Sequence, residues 1–432
     1  MLGTVFLWAS MLISICSIVL LLSRKKTKNF NKITHIGIYF SVALIFASFF
    51  YYMFLFLSHS FLFSNVFNNS CLSMSTLQLI ACSWSGQSGS LFLWIIFTGI
   101  TILIALKNRN KKNWTSIILL LMQVILLLLL IQSKPFALQE LAVSDGMGLN
   151  PVLSNPLMVL HPPFAFLAYS FLGLFFSAGV ASLIEDSGFG WVKKYSFSLF
   201  FAFFGLTVAI ILGSFWAYEI IGWGGYWAFD PVESGSLSLW LCCVALLHMI
   251  DLKGKPIKNS NLFFIIPIFS VFSMYYVSFL IRSGLLQSFT AHSYAKGGLV
   301  SALYGICLIF LVIPLVVFLI KKRTLKGKNI KQSYTAKGSK KEIDKKSFVP
   351  IFLFCLAIVL FFQVNLPIVQ VSENLILRTN KILIIAFLSG FVILLDLSQA
   401  KAILEKKYSN RVIWSSLFFS FVLTIVTVLI YP

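Results

Sequence analysis

The chain has 432 residues, of which 59% are hydrophobic and only 11% charged, with a mean hydropathy of +0.93. Soluble domains carry roughly a quarter charged residues, so this composition excludes an ordinary soluble fold and points to a chain that crosses lipid many times. The net charge of +21 would suit a nucleic-acid partner, but in a membrane protein the placement of basic residues outweighs their sum.

The apolar runs are continuous for helix length and do not alternate as barrel strands would. Backbone groups in hydrocarbon must be satisfied internally. The prediction is an all-α polytopic membrane protein, a bundle of about twelve transmembrane helices over 2–23, 34–58, 88–106, 115–133, 158–184, 197–215, 235–252, 262–281, 298–320, 348–366, 381–398 and 412–431. The run from Leu2 is followed by "SRKKTKNFNK", which reads as a first span with a basic stop and not as a cleavable signal. Of the 34 Lys and Arg, 29 fall on one alternating set of connections and five on the other. By the positive-inside rule the rich set is inner, and both termini lie on the outer side. Nucleic acid is excluded as a partner on the same ground, and the lipid bilayer is the first partner.

Residues 1–432 are expected to form a single transmembrane domain. The Lys-rich stretch 321–347 reads as a disordered basic inner loop. The seven Cys fall mostly within apolar spans and act as small hydrophobes. There is no C-x-x-C motif, so the chain is neither a dithiol oxidoreductase nor itself a c-type cytochrome. The outer connections are poor in basic residues and carry the unusual ones: "SWSGQSGSLFLW" (83–94), 134–163, 216–240 and 282–298.

The stretch 216–240, "WAYEIIGWGGYWAFDPVESGSLSLW", sets four Trp, two Tyr and one Phe among Gly222, Gly224 and Gly225, with Asp230-Pro231 and Glu233 after them. An interfacial aromatic belt accounts for a ring or two at a helix end. It does not account for the interleaved glycines, which let flat faces approach a flat ligand. The second reading is a platform for a planar ligand. His161 opens the fifth span before Pro162 and Pro163, which suit a first helical turn. His292 lies in the outer connection "TAHSYAKGG". Each alone reads as a rim hydrogen-bonding residue. Beside an aromatic platform, two imidazoles supply what axial ligation of haem iron requires. His248, in "CCVALLHMID", is expected well inside span seven. There an ionisable ring is costly and usually partnered, either as a haem ligand within the bundle or as a neutral His bonded to another helix. His35 and His59 read as ordinary helix-end residues.

These residues resemble a known family. "WGGYWAFDPVES" is similar to the tryptophan-rich WWD signature of haem-handling proteins of cytochrome c maturation. Trp223, Gly224, Gly225, Trp227, Asp230, Pro231 and Glu233 match, while Phe229 stands for Trp and Ser234 for Asn. "DGMGLNPVLSNPLMVLHPPFAFLAY" and "FLIRSGLLQSFTAHSYAKG" select the CcmF type, with Ala291 and Tyr294 as departures. In "WSGQSGSLFLW" Gln87 and Ser88 replace a family His and Glu. The resemblance implies a cytochrome c haem lyase, as an N-terminal portion or split form. Such a protein takes haem from a CcmE-type membrane haem chaperone. It presents that haem to the C-x-x-C-H motif of apocytochrome c, kept reduced by a CcmH-type subunit, for thioether attachment. The implied axial ligands of the incoming haem are His161 and His292, cradled by Trp216, Trp223, Gly224, Gly225, Trp227 and Phe229. Trp223, Trp227, Asp230 and Glu233 are candidates for the lyase step. His248 is the implied ligand of a resident b-type haem. No His follows His292, so the second b-haem ligand that the resemblance implies is expected from a separate C-terminal CcmF portion, the alternatives being another ligand or no b-type haem. The implied location is a mitochondrial inner membrane or a bacterial plasma membrane, with the active face outward. The rival from another class is a transporter exporting haem or another small molecule, which would place its polar site at mid-membrane in broken helices.

Overall fold

Long apolar runs without interior breaks close their own backbone hydrogen bonds, and the helices follow these runs. A computed structural model describes residues 2–23, 27–107, 113–140, 143–221, 226–227, 230–251, 256, 261–286, 309–310, 312–321 and 348–364. The helices in chain order are α1 (Leu2–Leu22), α2 (Lys28–Leu57), α3 (Ser64–Asn69), α4 (Thr76–Ser85), α5 (Gln87–Leu106), α6 (Trp114–Gln132), α7 (His161–Glu185), α8 (Gly190–Trp216), α9 (Pro231–Leu247), α10 (Leu262–Ser283), α11 (Val312–Lys321) and α12 (Phe348–Gln363).

Seven helices among the described residues are long and apolar enough to cross a membrane: α1, α2, α5, α6, α7, α8 with its extension, and α10. They coincide with seven expected spans. α9, α11 and α12 are shorter apolar helices at the places of three more. The expected spans 381–398 and 412–431, and most of the basic stretch 321–347, lie outside the described residues. The fold is an all-helical polytopic membrane protein.

The helix faces agree with a lipid surround. Val5, Leu12 and Val19 on α1, Ile36, Phe40 and Phe54 on α2, and Phe200, Phe204 and Ile211 on α8 are apolar and exposed. α5 and α7 are the most enclosed of the long helices. α7 packs against α5, α6, α8 and α10, and α9 packs against α8, α10 and α12. Because lipid tails are as apolar as Leu, helix association needs close packing and interhelical hydrogen bonds. Ser10 and Ser14 of α1, Ser41 of α2 and Gln123 of α6 supply such bonds. The Ser10–Ser41 hydroxyls are 2.9 Å apart and the Ser14–Ser41 hydroxyls 2.7 Å. The Gln123 Nε2 donates to Ser14 at 3.1 Å. On the other side, Trp240 Nε1 donates to Thr207 Oγ1 at 2.8 Å and Ser238 donates to the Ala357 carbonyl at 2.7 Å. α7 and α8 approach closely at Gly205, where an added Cβ would lie 2.9 Å from the Phe164 carbonyl oxygen.

Two expected outer connections are stitched to each other. Ser64 N–H donates to Ala137 O and Gln139 N–H to Leu62 O, each at 2.8 Å. The Asp145 carboxylate accepts from Leu72 N at 2.8 Å and from Gly146 N at 2.7 Å, which gives the "DG" of the family-like stretch a structural task. At the opposite end of α7, Lys321 pairs with Asp186 at 2.8 Å. This joins two connections that the charge pattern assigns to the inner side.

The stretch 216–240 is less of a loop than expected. α8 runs on through a π-helical turn, Ala217–Ile221, and α9 begins at Pro231 rather than near 235. The reason is local. Asp230 accepts from Glu233 N at 2.6 Å while the Glu233 carboxylate accepts from Asp230 N at 3.3 Å. This is a capping box with proline in the first turn, where its missing N–H costs nothing.

Candidate functional site

α7 starts at His161 because Asn155 prepares the turn before it. The Asn155 Oδ1 accepts from Leu157 N at 2.8 Å and so begins the 3₁₀ turn Pro156–Val159. Its Nδ2 donates to Glu219 Oε2 at 2.7 Å, on the π-helical extension of α8. The residues before His161 are thereby tied to the entry of the tryptophan stretch. π turns recur at functional sites. The His161 ring leans on α8, with Nδ1 2.8 Å from the Ala209 carbonyl oxygen. A carbonyl only accepts, so the neutral ring carries its proton on Nδ1 and keeps its lone pair on Nε2. That is the state of an imidazole that ligates a metal through Nε2.

His161 lines a cavity of about 420 Å³, within the range of small-molecule sites (roughly 300–1,000 Å³). Its walls come from five parts of the chain. Asn65, Asn69 and Trp84 to Gln87 belong to the α3–α4–α5 region. Asn150, Leu153 and His161 come from the connection into α7. Gly213 and Trp216 belong to the end of α8, Trp227 and Glu233 to the start of α9, and Arg282 to the end of α10. Four connections that the charge pattern places on one side therefore meet in one cavity.

The aromatic stretch divides its rings. Trp216 and Trp227 face the cavity. Phe215, Tyr218 and Tyr226 are exposed, with the two Tyr rings stacked at 4.4 Å and 13° and Phe215 edge-on to Tyr226 at 5.5 Å. The described rings of this segment thus fall into two sets, one on the cavity wall and one on the surface. Trp223, Gly224, Gly225, Phe229 and His292 lie outside the described residues. Asp230 and Glu233 serve the helix cap, and Glu233 also lines the cavity.

His248 differs from expectation in depth. α9 ends at Leu247, short of the expected 252, and His248 is the residue that closes it. It is exposed, with Nδ1 2.9 Å from the Val244 carbonyl of its own helix. Along α9, Ser236 is the cavity-lining residue nearest to it in sequence, roughly 18 Å away at 1.5 Å per residue, so His248 does not belong to the His161 site. Its donor chemistry fits a haem ligand, since the proton again sits on Nδ1 and Nε2 keeps the lone pair. Among the described residues no group of three or more His, Cys, Asp and Glu is placed to hold a metal ion.

Several lining residues escaped the sequence reading. Arg282 was expected as a loop cation, yet it sits in the last turn of α10 with 3% exposure. There Nη1 donates to Ser278 Oγ at 2.7 Å and Nη2 to Ser90 Oγ at 2.8 Å. Its burial depends on how α10 lies against α5, so no local signal in the sequence distinguished it from a loop cation. Trp84 is carried by α4, a short helix absent from the expected spans. α4 meets α5 so tightly at Gly89 that an added Cβ would run into the Ser83 carbonyl. Cys82, on the same helix, is buried, and burial pushes its thiol up to about 12.

With this geometry in hand, three comparisons bear on kinship. Residues 84–286, which supply all of the cavity walls but Asn65 and Asn69, match the family described as Cytochrome C assembly protein. The chain is 34% identical to the Cytochrome c-type biogenesis protein ccl1 of Rhodobacter capsulatus over 267 residues, which cover 59% of this chain and 39% of that one. It is 31% identical to the Cytochrome c-type biogenesis protein CcmF of Escherichia coli over 254 residues, 56% of this chain and 38% of that one. The chain is thus similar in sequence to CcmF-type cytochrome c biogenesis proteins. A solved structure described as "Cytochrome c Heme Lyase CcmF" shares the fold, with a TM-score of 0.69 at 18% identity, over 91% of this chain and 60% of that one. The chain spans about two fifths of the length of the curated CcmF-type relatives it matches.

Proposed function

We propose that this CcmF-type chain receives haem in the cavity on its outer face and presents it to the C-x-x-C-H motif of apocytochrome c for thioether attachment. Haem is the substrate here, delivered by a membrane haem chaperone. The observation that carries the reading is His161. It lines a ligand-sized cavity together with Trp216 and Trp227, with its proton held on Nδ1 by the Ala209 carbonyl. His161 would take the iron through Nε2, and the tryptophan faces would stack on the ring. His292, Trp223, Gly224, Gly225 and Phe229 would complete the cradle from the connections beside it.

The chemistry asked of the protein is mostly placement. Addition of a thiol across a vinyl group gains several kcal/mol when both partners are held in register. His161 fixes the iron, the Trp faces fix the plane, and the Asp230–Glu233 cap anchors the tryptophan stretch on α9. Reduced thiols would be supplied by a CcmH-type subunit. His248 is proposed as one ligand of a resident b-type haem, which would supply reducing equivalents. Its Nδ1–H anchored on Val244 O is the support for that role.

The test is haem capture. His161→Ala and His292→Ala are expected to lose haem transfer from the chaperone and to abolish cytochrome c maturation. Normal maturation by both variants would refute the axial assignment. A pyridine haemochrome assay of the purified chain separates this reading from haem export, since an exporter is not expected to retain haem through purification. For His248→Ala, an unchanged b-type absorption spectrum removes it as a ligand.

A further inference from the structure

The hydrogen bond that fixes His161 depends on an absence. In an α-helix each Cβ leans toward the N-terminus and covers the preceding turn. The carbonyl of Ala209 is therefore shaded by whatever side chain stands four residues later, and that residue is Gly213. A Cβ built on Gly213 would lie 2.9 Å from His161 Cε1, 3.2 Å from Nδ1 and 3.9 Å from Nε2. The Nδ1–Cε1 edge of the ring thus rests on the bare backbone at Gly213, and Nε2 is the nitrogen farther from it. With any side chain at 213 the imidazole, as the movable party, would have to withdraw, and the 2.8 Å contact to the Ala209 carbonyl would be the first thing lost.

We propose that Gly213 is a positioning residue for His161: by leaving the Ala209 carbonyl uncovered, it selects the Nδ1–H tautomer and makes Nε2 the ligating nitrogen. The opening stretch of the WWD segment and the "HPP" helix start are then two halves of one device. α8 holds the imidazole at Gly213 and Ala209 and, one turn and a half further on, holds the approach to it through Glu219 and Asn155. The same helix therefore sets where the ring sits and which of its nitrogens can bind. Partners of this kind on a metal-binding histidine are worth roughly 10- to 100-fold in affinity. The proposal rests on the reading of His161 as a ligand of the incoming haem.

The experiment uses the full chain, labelled with ¹⁵N-histidine, in lipid nanodiscs. Imidazole nitrogen shifts report the tautomer without any haem present. The His161 signal is identified by its disappearance in His161→Ala. The wild type is expected to show His161 as the Nδ1–H tautomer. Gly213→Ala is expected to shift it to the Nε2–H form and to weaken binding of added iron protoporphyrin IX by at least tenfold. Gly190→Ala, at the start of the same helix with nothing within 4 Å of an added Cβ, is expected to change neither. An Nε2–H tautomer at His161 in the wild type overturns the proposal, whether or not the variant folds. So does an unchanged tautomer in Gly213→Ala. Haem binding retained by His161→Ala overturns the ligand reading and this proposal with it. Haem binding lost in His161→Ala but tautomer unchanged in Gly213→Ala overturns this proposal alone.

Discussion

Two thiols on the cavity side of the molecule illustrate how burial, more than residue type, sets reactivity. Cys82 is buried and carries its thiol at about 12, from desolvation first and from the neighbouring Cys71 second. Cys71 is partly exposed, 3.2 Å from Ser73 Oγ. Only thiolate reacts with a maleimide. Cys71 is therefore expected to label within minutes at pH 8, while Cys82 stays unmodified until the chain is unfolded. Mass spectrometry of the labelled peptides reads this directly, and equal labelling would contradict the burial. A raised pKa keeps Cys82 protonated throughout the range in which the protein works, so no pH dependence of function is expected from it. The Asp230–Glu233 pair is a second residue-level case. As a capping box, Asp230→Ala is expected to cost about 1 kcal/mol, seen as a lowered midpoint in thermal unfolding. Asp230→Asn, which keeps an accepting oxygen, is expected to recover most of that loss. Equal losses in the two variants would mean that charge rather than capping matters there.

Elements matter where they hand a side chain to the cavity. α8 is the clearest example, because one helix and its π-helical extension position His161 directly and the approach to α7 through Glu219. Asn155→Ala removes both the start of the 3₁₀ turn and the bond to Glu219. It is expected to lower haem capture about tenfold. Glu219→Gln keeps an oxygen for Asn155 Nδ2 and is expected to stay near wild type, so a defect as severe as that of Asn155→Ala would rule out the strap. In the α1–α2–α6 corner the Ser10, Ser14, Ser41 and Gln123 cluster plays the part that apolar contact cannot play in lipid. Ser41 bonds to both serines of α1 and to Gln123. Ser41→Ala is expected to destabilise the bundle by roughly 0.6–1.7 kcal/mol, measurable as a shift in detergent-induced unfolding. A shift of zero would mean that the cluster finds other partners.

Across the whole molecule the charge pattern and the architecture agree on which ends of the helices lie together. The cavity gathers connections assigned to the basic-poor side, and the Lys321–Asp186 pair joins two on the basic-rich side. Met147 and Ser187 flank opposite ends of α7 and are both exposed. In a background with Cys71 replaced by Ser, Met147→Cys is expected to react with a membrane-impermeant maleimide in intact cells or mitoplasts, and Ser187→Cys only after lysis. Labelling of both from one side would break the expected topology and with it the outward face proposed for the cavity. The transporter alternative expects its polar site at mid-membrane in broken helices. Instead, the cavity is walled from helix ends: His161 opens α7, Trp216 closes α8, Glu233 lies in the first turn of α9 and Arg282 in the last turn of α10.

Hydropathy and charge were enough to establish a helical membrane protein and to group its connections by side, because lipid imposes length and apolarity on each span independently of the others. The motif around Trp223 and His161 was enough to point to CcmF-type relatives, because it sets particular residue types in a particular order along the chain. Helix ends were less legible. The Asp230–Glu233 capping box is a four-residue signal that starts α9 at Pro231, while the end of α9 at Leu247, which leaves His248 at a helix end, has no comparable local signal. Contacts between distant segments were not legible at all. Nothing local marks Gly213 as the seat of the His161 ring, or Arg282 as a cavity wall rather than a loop charge. Which carbonyl is left bare, and which cation is buried, depends on how α7, α8 and α10 lie against one another, and that is a property of packing in three dimensions.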